Sequence, residues 1–304
     1  MEIAHLRALR ELRDRGSIAA VAAALGVTAS SVSQQLSALQ RTAGVPLTRI
    51  EGRRRVLTDA GHALAAATVD IESAYVRAES ALADFTAETS TVTVSAFHSA
   101  AAALFPGLLA AGHPVEVADA DVSTEAFPAL TLRHDLVVAH RMAGSQPWPS
   151  TVASVPLLAE PLDLAFRAGH RLDGLERVRP ADLVDESWIA VHEGFPLDDA
   201  VRRVAGAAGH DPHIAHRVND FHVVAALLRA TDHVALLPRW TSRVDAGTDL
   251  RLTPIVGDFG LVRRIDVLAR PETLERAGVR AVLTELRRAA RALRGGLGDQ
   301  PPAV

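Results

Sequence analysis

The segment from Ser17 to Gly44 constrains this chain most, because it spells two short helices joined at a glycine. Ser17 is placed to cap a helix whose apolar face is Ile18, Val21, Ala22 and Leu25, spaced i, i+3, i+4 and i+7. Gly26 supplies the left-handed residue that ends it. Thr28 caps a second helix that buries Val32, Leu36 and Leu39, leaving Ala29, Ser30, Ser31, Ser33, Gln34 and Gln35 at its start or on its outer face. That is the layout of a helix-turn-helix, whose second helix enters the major groove N-terminal end first. There Gln bonds adenine bidentately, Ser bonds either partner, and short side chains allow close approach. The same residues also describe an Ala-rich helical hairpin, since glycine turns are common in all-helical packing.

The next residues, Val45 to Thr58, read as a two-stranded wing with Glu51-Gly52 at its tip and Arg53, Arg54 and Arg55 beside it, able to reach phosphate or a minor groove. The alternative is a solvated arginine cluster at a hairpin tip. Charge favours the former. The first 65 residues hold nine arginines against five acids, a formal +4, whereas the remainder holds 23 arginines against 31 acids, a formal -8. A positive segment on an otherwise acidic chain is the electrostatic footprint of a module that binds double-stranded DNA.

Gly16-Ser17, the run from Ala22 to Leu25, Val32-Ser33-Gln34-Gln35-Leu36, Leu39, Gly44, Leu47, Arg53 and Leu57-Thr58-Asp59-Ala60-Gly61 together resemble the N-terminal signature of LysR-type transcriptional regulators. The resemblance covers about the first 65 residues. Gln40, Thr48 and Ile50 depart from it, standing where the family usually has Glu, Phe and Arg. The resemblance implies an α/β chain in which an N-terminal all-α winged helix-turn-helix is followed by a long linker helix. A two-lobed effector domain of the periplasmic-binding-protein type (type 2) comes last. It also carries base and phosphate contacts over to Ala29, Ser30, Ser33, Gln34 and Arg53. Ala29 has no polar reach, so Ser33 and Gln34 are expected to supply most of the base readout.

From Thr58 to about residue 87, Ala60, Leu64, Ala67, Ile71, Ala74, Ala78, Ala81 and Phe85 alternate by four and three residues. This heptad seam predicts a dimerising helix, or alternatively one amphipathic helix lying on its own domain. A homodimer, or a homotetramer built from two of them, would address half-sites about 34 Å apart or a multiple of that. Beyond residue 91, β-type runs at 91–96, 115–118, 135–139, 188–191, 213–218 and 234–237 alternate with helical stretches such as 99–111 and 221–230, an α/β pattern expected to form parallel sheets. The resemblance places crossovers between lobes near Glu160-Pro161 and Arg263-Arg264. The expected domains are 1–58, the linker 59–88, lobe I from 91–159 with 265–294, lobe II from 160–264, and a disordered tail 295–304.

A small-molecule effector is expected in the cleft between lobes, where strand ends meet helix N-termini. The loops that qualify carry Phe97, His98, Ser99, Ser123, Thr124, His140, Gly194, Phe195 and Asn219. Ser99 and Ser123 also suit plain N-capping, and a lone loop histidine also suits the surface.

Enzymatic chemistry finds no footing: GxSxG, phosphate-loop and dinucleotide glycine motifs are all missing from the sequence. His210, His213 and His216 recur every third residue, but Pro212 breaks a helix there, and on a strand His213 and His216 are expected to face opposite sides. No metal and no cofactor is therefore expected. The chain has no cysteine, which rules out thiol redox sensing by its own residues. With no basic-then-apolar leader and no 18-residue apolar run, a cytoplasmic protein with no membrane partner is expected. The implied mechanism is a DNA-binding dimer whose effector biases the arrangement of its lobes. The rival is a small-molecule-binding protein whose N-terminal helices serve only for oligomerisation.

Overall fold

A computed structural model describes residues 1–52, 54–83, 90–242 and 249–295. They form two compact units, one made of the N-terminal helices, wing and linker helix with Pro271–Ala277, the other of the remaining effector region.

In the first unit, α1 (Ile3–Arg15), α2 (Ile18–Leu25) and α3 (Ala29–Ala43) precede a hairpin of β1 (Thr48–Glu51) and β2 (Arg54–Leu57), and α4 (Asp59–Ala83) follows. Ser17 Oγ accepts the Ala20 N–H and Thr28 Oγ1 the Ser31 N–H, so both expected caps form. Gly26, at φ +65°, makes the turn between α2 and α3 in a region that side chains disfavour. Leu6, Leu9 and Leu12 of α1, a helix that the sequence reading had not assigned, close one core with Val21, Val32, Leu36, Leu39, Leu47, Leu57 and Ala65. Gln40 Oε1 accepts the Leu47 N–H at 3.0 Å, so the amide ties α3 to the root of the wing. Thr58 Oγ1 donates to Pro46 O (2.7 Å) and accepts from Gly61 N (3.1 Å), capping α4. Gly61 is required there, since a Cβ would stand 2.1 Å from Leu47 O.

One face of α4, with Ala65, Thr68 and Glu72, is buried in this unit. Arg10, fully buried on α1, pairs with Glu72 and, at 2.8 Å, with Glu272. Arg77 pairs with Glu275 (2.8 Å). These ion pairs hold the 271–277 segment in the first unit. The described part of α4 ends at Ala83, so the seam position Phe85 and the expected helix end lie outside the described residues.

The second unit opens with β3 (Val92–Ala96), α5 (His98–Ala110), β4 (Val115–Asp119), a 3-10 turn (Thr124–Ala126), α6 (Phe127–Leu130) and β5 (Leu136–Met142). Then come β6 (Ala153–Arg167), β7 (Ser187–Ala190), α7 (Pro196–Ala207), β8 (His213–Arg217), α8 (Phe221–Ala230), β9 (Ala235–Pro238), β10 (Leu250–Thr253), β11 (Val262–Ala269) and α9 (Ala277–Gly295). The strands β3, β4 and β5 run parallel, as do β7 and β8, but β11 is antiparallel to β5 and β6, and β6 to β9 and β10. The seven-stranded sheet is therefore mixed rather than parallel, whereas the sheet of β7 and β8 is parallel as expected. The difference arises because β6 runs from one lobe into the other and β11 returns antiparallel beside β5 and the first half of β6, two strands absent from the runs expected above.

Strand order is β10-β6-β11-β5-β3-β4, with β9 also on β6. The first half of β6 pairs with β11 in one lobe, and its second half with β9 and β10 in the other. At the changeover Pro161 pairs with Val262 and Glu160 with Arg263. Lobe II packs Leu164, Phe166, Val201 and Val204 around the fully buried Trp188. In α9, Val279, Val282, Leu283 and Leu286 bury an i, i+3, i+4, i+7 stripe. Gly295, expected to open the tail, is the last residue of α9, and the rest of that tail lies outside the described residues.

Candidate nucleic-acid interface and effector cleft

The N-terminal half of α3 presents Ala29, Ser30 and Gln34 to solvent, with Ser33 half-buried. The Gln34 side chain makes no hydrogen bond among the described residues, so both ends of its amide are free for a base edge. The Ser33 hydroxyl instead donates to Ala29 O at 3.0 Å, a helix back-bond that leaves it only lone pairs to offer. On the wing, Arg54 is exposed and Arg55 half-buried; Glu51 pairs with Arg54 and Ile50 with Arg55 across the hairpin. Arg53, the wing contact implied by the resemblance, lies outside the described residues. Arg49 is engaged within the wing, donating through Nε (2.8 Å) and Nη2 (2.6 Å) to Glu51.

In the effector unit Phe97, His98, Ser99, His140, Phe195 and Asn219 line one cavity of about 70 Å³. They arrive from both lobes: Phe97 to Ser99 at the start of α5, His140 on β5, Phe195 before α7, and Asn219 between β8 and α8. Thr124 and Gly194 line a different, larger groove, and Ser123 lines neither. Ser123 does precede a short 3-10 turn, but its hydroxyl makes no cap.

Sequence reasoning missed the centre of this cavity. Arg263 is almost fully buried on β11, and its Nη2 donates to Glu160 Oε2 (2.9 Å), to Ser99 Oγ (3.2 Å) and to Thr241 Oγ1. Its guanidinium carbon lies 4.8 Å from the Phe97 ring centroid, while Nε is buried without a partner among the described residues. Glu160 is held in turn by the Trp240 N–H (2.7 Å) and the Thr241 hydroxyl (2.9 Å). Ser99 is therefore a member of this network rather than a helix cap, since the cap position falls to Phe97.

His140 is buried between Phe97 and Phe127, whose ring centroids lie 4.5 and 5.4 Å away, and its Nδ1 has no partner among the described residues. Burial, reinforced by the Arg263 charge, pushes its pKa down to about 3, so the ring is neutral at physiological pH. His98 is exposed and pairs with Asp119 at 2.7 Å. Asn219 Oδ1 accepts the His192 N–H (2.9 Å), which leaves its NH₂ for a ligand. Asp220 accepts from Val223 N (3.1 Å) and His222 N (2.8 Å), capping α8, and those N–H groups hold its carboxyl below the usual range. On the rim, partial desolvation of Asp121 raises its pKa against the opposing pull of His98 and Arg263.

The histidines of 210–216 lie elsewhere. Ser187 pairs with His213 and Ile189 with His216, so the register slips at Ala215 and the two rings share a face, contrary to the alternation expected of a regular strand. Among the described residues no group of three or more His, Asp or Glu is placed to hold a metal ion.

The geometry defines a class: a winged helix-turn-helix unit joined to a two-lobed binding domain. The sequence comparisons name it. Residues 3–62 match the "Bacterial regulatory helix-turn-helix protein, lysR family", and residues 86–291 the "LysR substrate binding domain". The chain belongs to the LysR family, and is accordingly a DNA-binding transcriptional regulator with a substrate-binding domain rather than an enzyme.

It is 26% identical over 259 residues to a probable hydrogen peroxide-inducible genes activator of Mycobacterium leprae (strain TN), covering 80% of each chain. It is also 28% identical over 139 residues to a malonate utilization transcriptional regulator of Klebsiella pneumoniae, a match spanning 46% of this chain and 45% of that protein. Among solved structures, a full-length OxyR variant from Pseudomonas aeruginosa superposes with a TM-score of 0.65 at 17% identity, covering 99% of both chains. HinK, a LysR family regulator from Pseudomonas aeruginosa, gives 0.55 at 18% identity, over 94% of this chain and 98% of that one. No helix among the described residues is long and apolar enough to cross a membrane.

Proposed function

We propose that two copies of this chain, paired along α4, read an operator with Gln34 and Ser33 of α3 in the major groove. Arg54 and Arg55, with Arg53, then contact the backbone. The observation that carries this reading is the exposed, unbonded amide of Gln34 at the entering end of α3, on the same unit as the arginines of the wing. Pairing is supported by most of the expected seam: Ala60, Ala67, Ile71, Ala74, Ala78 and Ala81 are exposed, while Leu64 packs in part against the first unit's core.

The effector binds in the cavity around Arg263, hydrogen-bonded by the free Asn219 NH₂ and His140 Nδ1 and packed against Phe97 and Phe195. Because it touches both lobes it favours one arrangement over another, and thereby shifts the spacing of the paired winged units on DNA. A peroxide signal read by a thiol, suggested by the name of one relative, does not carry over, since the chain has no cysteine. Its place of action is the cytoplasm, where promoter DNA is. Selection of bound duplexes from genomic fragments by the full chain, with and without candidate metabolites, tests the whole reading. Enrichment of defined fragments, altered by one metabolite, is the expected result; retention of all fragments equally with random competitor at moderate salt overturns it.

A further inference from the structure

The effector unit has a second concavity, much larger than the cavity around Arg263. It is a neighbouring groove of about 1140 Å³, ample for a drug-sized molecule. Its apolar part centres on Trp148, set between Pro147 and Pro149 in the loop after β5, with Phe259 also lining it. The indole is fixed before any ligand arrives. Nε1 donates to Asp266 Oδ2 at 2.7 Å, Asp266 is buried and also pairs with Arg141 (3.2 Å), and the Arg141 guanidinium sits 5.9 Å from the ring centroid. Prolines on both sides restrict the backbone as well. A half-buried aromatic pinned in an open groove is a stacking surface whose ordering cost is met by the fold.

The charges lining the groove have one dominant sign. Glu125, Asp199 and Asp258 stand against a single guanidinium, Arg203, whose Nε is spent on Phe259 O at 3.0 Å. Neither Glu125 nor Asp199 forms an ion pair among the described residues. Such a lining repels anions and favours cations.

We infer that this groove is a second ligand site, distinct from the cavity around Arg263, and takes a planar aromatic molecule carrying a protonated amine. The ring stacks on Trp148 and the ammonium faces Glu125 and Asp199. Trp148 stands on the loop after β5 in one lobe and Asp199 on α7 in the other, so the occupant bridges both lobes and adds a second input to their arrangement.

Three probes that share one ring and differ in charge test it: tryptamine, indole and indole-3-acetate, titrated calorimetrically into the full chain. Tryptamine is expected to bind at least about tenfold more tightly than indole-3-acetate, with indole between. The paired variant Glu125→Gln with Asp199→Asn, both at the surface, should erase that preference and leave indole unchanged, whereas Trp148→Leu should weaken all three. Absence of saturable tryptamine binding overturns the inference, as does equal or tighter binding of indole-3-acetate. Tryptamine binding that neither variant alters places the ligand elsewhere and also overturns it. The titration contains no DNA, so failure of the operator reading leaves this result standing, and the reverse holds too.

Discussion

Glu160 and Arg263 face each other on β6 and β11 at the changeover between the lobes, joined by a 2.9 Å ion pair with both side chains buried. Few positions in the effector unit are as costly to leave half-made. A buried charge without its partner loses its hydration and gains nothing in return, while a matched pair with its remaining hydrogen bonds made comes close to balance. Arg263 also lines the cavity proposed above for the effector, so the residue that binds one strand to the other belongs to that cavity's wall.

Replacing Arg263 by Met is therefore expected to destabilise the effector unit by about 3 to 5 kcal/mol, because Glu160 is left buried and uncompensated. Adding Glu160→Leu should recover most of that loss even though a second native group has gone. Urea denaturation of the full chain, followed by tryptophan fluorescence, measures both variants. Additive losses would show that the two residues do not act as a pair.

His140 gives stability a pH dependence of definite sign. Its pKa is about 3 when folded, against about 6.5 in an unfolded chain, so between these values the unfolded state binds the extra proton. Stability from this residue is intact above pH 6.5 and falls as pH drops through the window. Each unit costs about 1.4 kcal/mol, or about 2 kcal/mol at pH 5. The variant His140→Leu should lose about that much less than the native chain between pH 7.5 and pH 5. Equal losses would mean that the ring is protonated when folded.

On DNA, Gln34→Ala should narrow the discrimination between cognate and scrambled operator by about 1 to 3 kcal/mol. Arg54→Ala should weaken both duplexes alike and reduce the slope of log K against log salt by about 1. Titrations across a range of salt concentrations separate the two roles; equal loss on both duplexes for Gln34 would reassign it to the backbone.

The two helices of the helix-turn-helix and the turn between them are legible because their signals are local: Ser17 and Thr28 cap, Gly26 turns, and the apolar spacing has the helical period; α1 offers no side-chain cap and is not. The cavity was half legible. Its loops follow short strands that announce themselves by β-branched runs, which is why Phe97, Ser99, His140 and Asn219 were found. Arg263 was not found, although the strand period marks it: it is in phase with Ile265, both buried, while Arg264 between them is exposed. A buried arginine demands a carboxylate, and Glu160 lies more than a hundred residues away in sequence. No local pattern pairs the two. The same distance hides Arg10 and Glu272, and the slip at Ala215 moves His216 onto the face of His213 by a register change that periodicity does not carry.

The seam of α4 makes the last prediction. Residues on its inner face, Ala65, Thr68 and Glu72, are already committed within the first unit, while Ile71 is 44% exposed and the alanines in phase with it are open. An apolar stripe at heptad spacing with nothing on it is stable in water only if something covers it, and a second copy offers a matching stripe. Ile71→Glu places like charges at the centre of such a seam without touching the inner face. It should convert the dimer to monomer in sedimentation analysis with helix content unchanged. Two winged units would then bind independently, so affinity for an operator with two half-sites should fall about a hundredfold or more, while affinity for a single half-site stays as it was. If the variant sediments like the native chain, the pairing runs through some other surface and the half-site geometry must be drawn again.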